Sequence, residues 1–204
     1  HAKLKECDAK IEEHLREKSG VDTFVEPQKK EKSNKNNLNF NGKEMLYELT
    51  GTDLAEIFGI TETNAIEIIS EVGLDMSKWP TVKHFTSWLN LAPNNKISGG
   101  KVLSSRIPKK KNHAGQIFRM AAFAIQRSKN WLAMFYNRIK AKNGAPKAIV
   151  ATARKIAAIF YKMIKERVKF NPIPIEKYMD GFKENQIKKL KRQAKNLGLQ
   201  IVEM

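Results

Sequence analysis

KAIVATARKIAAIFYKMIK, residues 147–165, sets Ile149, Ala153, Ile156, Ala157, Phe160, Tyr161 and Ile164 at helical spacing, one apolar stripe along a single helix. Such a stripe is core material, because a helix with one apolar face must bury it against neighbours. The small loop Asn143-Gly144-Ala145-Pro146 leads into it. Upstream, Trp131–Lys140 carries Leu132, Phe135, Tyr136 and Ile139, and His113–Arg127 carries Ile117, Met120, Ala121, Ala124 and Ile125 in the same rhythm. These tracts predict an all-α domain.

Further upstream the pattern breaks into PNNKISGGKVLSSRIPKKKN, within residues 92–112, a long loop with room for a short β-hairpin. Before it, Trp79-Pro80-Thr81 starts a helix Val82–Leu89 with Val82, Phe85, Trp88 and Leu89 on one side. Thr61–Val72 places Ala65, Ile66, Ile68, Ile69 and Val72 at helical spacing and stops at Gly73. Thr52-Asp53 is suited to cap a short helix Leu54–Phe58, and Lys43–Leu49 is a short helix closed by Gly51. Residues 19–42 are rich in Lys, Asn, Ser and Glu and have linker chemistry. At the start, Leu4, Cys7, Ile11 and Leu15 form a narrow seam on a charged helix, the end of a coiled coil or an ordinary first helix of the domain. The tail has Pro172 and Pro174, then a helix near Lys183–Leu197. The expected organisation is therefore an arm (1–18), a polar linker (19–42), a nucleic-acid-binding domain (43–169) and a tail with one helix (170–204).

The charge points to a partner. The 204 residues hold 38 Lys and Arg against 21 Asp and Glu, a net charge of +17. The excess is local: Lys96–Lys169 contains 19 basic residues and one carboxylate, Glu166. Cations without carboxylate neighbours face solvent or an external polyanion, and nucleic acid is the natural one. A merely soluble surface intersperses both signs. An anionic membrane fits less well, since the basic segment is interleaved with core residues and has no separate amphipathic anchor. No apolar run approaches the roughly 18 to 20 residues that span a bilayer, and the first residues lack the apolar centre of a signal peptide. The single cysteine, Cys7, permits no internal disulfide, so a cytoplasmic location is expected.

Two segments have chemistry of their own. Ile57–Ala65 followed by an apolar helix has the outline of a helix-hairpin-helix, in which backbone N–H groups at a helix start meet a phosphate. Gly59 and Thr61 are its candidate contacts, although the usual second glycine is replaced by Thr61, and a purely structural hairpin stands beside that reading. The loop Asn94–Val102 is sharper. Gly99 and Gly100 after Ser98 let a phosphate approach without obstruction, and Lys96 and Lys101 flank the site with positive charge. Ser98 is the candidate nucleophile; Ser104 and Ser105 lack adjacent glycines. The plain alternative is a hydrophilic turn, and no His or carboxylate lies near in sequence to activate a hydroxyl. Lys101, Arg106, Lys109, Lys110, Lys111 and Arg119 are candidate phosphate contacts. The four histidines have no metal-ligand spacing.

Several short motifs fall in one order: Phe58-Gly59-Ile60, Ile69-Ser70-Glu71-Val72-Gly73, Trp79-Pro80, His84-Phe85, Trp88-Leu89, Ala92-Pro93-Asn94-Asn95, Ser98-Gly99-Gly100-Lys101-Val102, Met120-Ala121-Ala122 and Phe135-Tyr136. Together, over about Lys43–Lys165, they resemble the C-terminal transposase domain of the insertion sequence 110 family, the DEDD-motif recombinases guided by a bridge RNA. The resemblance implies a serine nucleophile, falling on Ser98, that forms a phosphoserine link to DNA. It also implies magnesium held by four acidic residues of a separate RuvC-like domain, which is not in these residues. The expectation is thus a transposase domain that binds DNA and guide RNA, works as a dimer or tetramer, carries no cofactor itself and is inactive alone. The alternative expectation is a non-catalytic helix-hairpin-helix module that binds nucleic acid.

Overall fold

The computed structural model describes residues 2–19, 38, 40–107 and 111–199. Within them are eight α-helices and one two-stranded hairpin, so the all-α class holds. The helices are α1 (Ala2–Ser19), α2 (Gly42–Thr50), α3 (Glu62–Val72), α4 (Val82–Trp88), α5 (His113–Ala124), α6 (Trp131–Asn143), α7 (Ala145–Glu166) and α8 (Ile175–Asn196). The strands β1 (Lys96–Ser98) and β2 (Lys101–Ser104) lie between α4 and α5. None of the described helices is long and apolar enough to cross a membrane.

The centre of the fold is α7, with Pro146 in its first turn, where a missing N–H costs nothing. Its buried face runs Ala148, Thr152, Ala153, Ile156, Ala157, Phe160, Tyr161, Met163 and Ile164, and α4, α5 and α6 all pack on it. Alanines alternate with larger residues along that face, so α5 can come close with its own Ala114, Gly115, Ala121 and Ala122. Phe160 meets Phe118 of α5 edge-on at 5.4 Å, and Phe85 of α4 lies 5.5 Å from Tyr161 and 5.1 Å from Trp79. The Tyr161 hydroxyl donates to the Trp79 carbonyl at 2.6 Å, which satisfies the phenol of this aromatic cluster.

Side-chain caps set the helix starts. Asn41, Asn112 and Asn130 accept from the backbone N–H groups of Glu44, Gly115 and Ala133, and Asp53 accepts from Ala55 to open the 3-10 turn Leu54–Glu56. That turn is shorter than the helix expected over Leu54–Phe58. Asp53 also pairs with Lys43 at 2.7 Å and pushes its ammonium pKa up, which ties the start of α2 to the turn. Glu71 of α3 accepts from the Ala114 N–H, placing a carboxylate at the positive end of α5.

Two expectations shift in extent. α8 begins at Ile175, directly after Pro174, rather than near Lys183, because the proline's fixed φ suits a helix start. On α1, Leu4 and Ile11 are 59% and 39% exposed and Cys7 is exposed, so most of the seam is open to solvent although the helix touches α2. Most of the expected linker, residues 20–37 and 39, lies outside the described residues, as do residues 200–204.

Candidate nucleic-acid interface

The hairpin sits at the end of a rigid approach. After α4, Asn90 adopts a left-handed conformation (φ 55) and is buried, while the Leu91 N–H donates to the Thr86 carbonyl at 2.9 Å. The Arg119 guanidinium donates to the Asn90 carbonyl at 2.8 Å, and Asn112 Nδ2 donates to the Trp88 carbonyl at 3.2 Å. Both ends of the 92–112 loop are thus pinned to the α4–α5 crossing. The Asn94 N–H donates to the Arg106 carbonyl at 3.1 Å and closes the base of the hairpin.

Above that base the strands pair antiparallel, Ile97 opposite Val102 and Ser98 opposite Lys101, with an irregularity between Lys96 and Ile97. Gly99 and Gly100 make the two-residue connection with φ of 55° and 74°. Left-handed conformations at both central positions define the tight hairpin turn whose twist matches the strands, and glycine adopts them without strain. A side chain at either position would meet nothing within 4 Å, so the turn is open on all sides. Ser98 is exposed at the last position of β1, beside that open turn, and its hydroxyl makes no hydrogen bond among the described residues. Lys96, Lys101 and Arg106 are exposed on the same hairpin, as are Ile97, Val102 and Leu103. Lys111 is exposed just before α5, while Lys109 and Lys110 lie outside the described residues.

Arg119 is placed differently from a free phosphate contact: half-buried and bonded to Asn90, it positions the approach to the hairpin. The Gly59 and Thr61 candidates also acquire local roles. Gly59 (φ 84) packs on α5, where an added Cβ would lie 2.6 Å from the Ala121 carbonyl oxygen and 2.7 Å from Ile125. Thr61 caps α3 reciprocally, its hydroxyl accepting the Asn64 N–H while the Asn64 side chain accepts the Thr61 N–H. Two donors that a phosphate would use are thus occupied, and Glu62 in the first turn repels an anion. Thr61→Ala is expected to lower stability by roughly 1 kcal/mol in thermal unfolding, with DNA affinity unchanged in a binding titration.

The cations of Lys96–Lys169 stay largely uncompensated in three dimensions. Among the described residues of this segment the ion pair of Lys162 with Glu166, at 3.7 Å, is the only one from a Lys or Arg. Two of these cations, Arg138 and Lys155, instead lie over aromatic rings at the junction of α6, α7 and α8. The periodicity had marked Phe135 only as a core residue; nothing in the sequence joined it to Lys155 and Tyr178, since the contact depends on where α8 docks. Among the described residues no three His, Cys, Asp or Glu side chains gather as a metal site.

No curated protein matches the chain. Residues 51–137 match the sequence model of the family described as "Transposase IS116/IS110/IS902 family", a span that includes the whole hairpin and both helices that pin it. Over residues 51–137 the chain is therefore similar to transposases of the IS116/IS110/IS902 family.

Proposed function

We propose that this domain handles DNA in insertion-sequence transposition and that Ser98 supplies the nucleophile for strand cleavage and rejoining. The observation that supports it is the exposed Ser98 hydroxyl beside the open Gly99-Gly100 turn, with Lys96 and Lys101 on the same hairpin. In the step, Ser98 Oγ forms a bond to phosphorus of a phosphodiester, and the bond from phosphorus to one flanking strand breaks. That strand end leaves as a hydroxyl, taking up a proton as the serine gives one up. The resulting phosphoserine diester keeps the bond energy, so a hydroxyl of a second strand can attack it and restore the serine. Lys96 and Lys101 act by neutralising the phosphate oxygens.

Among the described residues no three His, Cys, Asp or Glu side chains gather to hold magnesium. The proposal places the metal, and the group that takes the serine proton, on a separate acidic domain, so this chain alone binds DNA without cutting it. Guide RNA would use the same basic segment, and the open seam of Leu4, Cys7 and Ile11 suits pairing of α1 with a second copy. The rival reading, a non-catalytic helix-hairpin-helix module, has less support because Thr61 and Asn64 already occupy the donors of that turn.

Two measurements test this. Duplex binding by the chain should weaken steeply with salt, with a slope of log affinity against log salt of about −4 or beyond, as four or more phosphate contacts require; a flat response removes the phosphate-binding premise. In a full reaction with an acidic domain, guide RNA and DNA supplied, a covalent protein–DNA adduct should map to Ser98. Recombination that proceeds with the adduct on another residue overturns the nucleophile assignment.

A further inference from the structure

Where α8 meets α6, Trp131 and Tyr178 pack together and each keeps a buried polar atom without a partner. Among the described residues, the buried side-chain polar atoms without a hydrogen-bond partner are Trp131 Nε1 on α6, Thr152 Oγ1 on α7 and Tyr178 Oη on α8. The same helices bring two cations together around a closed circuit of rings. Lys155 Nζ lies 5.7 Å from the Trp131 ring and 4.8 Å from the Phe135 ring. Arg138 lies 5.4 Å from Phe135, 5.6 Å from Tyr178 and 4.7 Å from Phe182, and Tyr178 closes the circuit against Trp131 at 5.8 Å.

Ring faces attract a cation but do not neutralise it. Neither Arg138 nor Lys155 is paired with a carboxylate among the described residues, and each raises the electrostatic cost of the other. Burial, with the Arg138 charge added, holds Lys155 below the usual ammonium pKa, and burial raises the Tyr178 hydroxyl. Arg138 is exposed and Lys155 half-buried, so the cluster opens to solvent at the guanidinium. Two uncompensated cations beside unpartnered N–H and O–H donors have the chemistry of a site whose anion is still to arrive.

We propose that this cluster is an anion site for a phosphodiester of the nucleic-acid backbone, with Arg138 as its outer wall and Lys155 as its inner charge. The inference rests on the DNA-handling reading above and adds to it a second contact point, on elements outside the hairpin. A guanidinium presents parallel N–H donors to two phosphate oxygens, and the ammonium takes a third bond. Bound there, the phosphodiester shares its one negative charge between the two cations and fixes α8, which carries Lys183, Lys188, Lys189, Arg192 and Lys195 on exposed positions further along.

The test follows the indole N–H signals of the three tryptophans by NMR in the full chain, with Trp131 assigned through Trp131→Phe. Inorganic phosphate and a short duplex DNA are titrated separately. Both should displace the Trp131 signal to saturation. The double variant Arg138→Gln with Lys155→Met should lose the displacement, bind the duplex about tenfold more weakly and show a salt slope shallower by about one. Lys155→Arg should keep most of the affinity. If the double variant is unfolded by circular dichroism, Lys155→Met alone replaces it, since methionine keeps the stem's packing on the rings. Duplex binding that leaves Trp131 still, with unchanged affinity in the variants, overturns the inference and leaves the hairpin reading intact. A response to phosphate but not to DNA overturns the assignment to nucleic acid. Failure of the wild-type chain to bind duplex even at low salt overturns the DNA-handling reading, and this one with it.

Discussion

Ser98→Ala is expected to reduce strand cleavage and rejoining by at least about 10³-fold, as loss of a covalent nucleophile does, while duplex affinity stays within about twofold. The split follows from position. Ser98 ends β1 with its side chain exposed and unbonded, so removing the hydroxyl disturbs no described contact. The charges that would hold DNA, Lys96 and Lys101, remain on the same strands. Ser104→Ala is the matched control, because the Ser104 hydroxyl accepts the Arg106 N–H at 3.4 Å and serves the local backbone. Its activity should stay within a few-fold of wild type, and so should that of Ser105→Ala. Gly100→Val lies between: φ of 74° strains a branched residue by roughly 1–2 kcal/mol, yet a Cβ there meets nothing. Such a variant should melt a few degrees earlier than wild type and cleave more slowly, because the turn no longer aims the serine. Single-turnover cleavage and equilibrium binding on the same preparations separate these effects. Full recombination by Ser98→Ala ends the nucleophile hypothesis.

What the sequence disclosed about the fold was its local part. The stripes of α5, α6 and α7, the helix ends at Gly51 and Gly73 and the break at residues 92–112 are written in spacing and in residues that stop helices, so each could be placed without knowing its neighbours. The Ser98 hairpin was legible in part: the loop left room for a short hairpin, but its two glycines read as access for a phosphate rather than as the tight turn they make. Long-range contacts were not legible. Arg119 read as one more cation, but its bond to Asn90 is made across the α4–α5 crossing, where no periodicity reports it. Gly59 read as part of a phosphate turn, whereas its lack of a side chain is explained by the Ala121 carbonyl of a helix that begins over fifty residues later. The aromatic and cationic ring at α6, α7 and α8 was hidden likewise: Trp131, Phe135 and Arg138 share a helix face, and only the return of α8 brings Tyr178 and Phe182 to it.

Gly115→Ala tests how tightly the fold holds the hairpin. In an ordinary helix the change would help, since alanine is favoured over glycine by about 1 kcal/mol. Here the expected sign is reversed. A Cβ on Gly115 would fall on the Leu89 carbonyl oxygen, backbone that cannot swing aside like a side-chain end, and would lie 3.1 Å from the Asn112 cap oxygen. Overpacking of this kind costs about 1–3 kcal/mol or more, so a net loss of stability should appear as a melting point lower by several degrees. The damage should also travel. Leu89 precedes Asn90, whose carbonyl anchors Arg119, and Asn112 both caps α5 and holds the Trp88 carbonyl. Moving the start of α5 therefore moves both ends of the loop that presents Ser98. Gly59→Ala gives the comparison: its Cβ collides with α5 near Ala121 and Ile125, and its φ of 84° adds backbone strain, but it touches neither end of the loop. Both variants should melt earlier than wild type. At a temperature where both remain folded, Gly115→Ala should lose more hairpin-dependent cleavage than Gly59→Ala for the same loss of stability. A Gly115→Ala protein as stable as wild type would mean that α4 and α5 do not cross as closely as described, and the rigid approach to Ser98 would go with it.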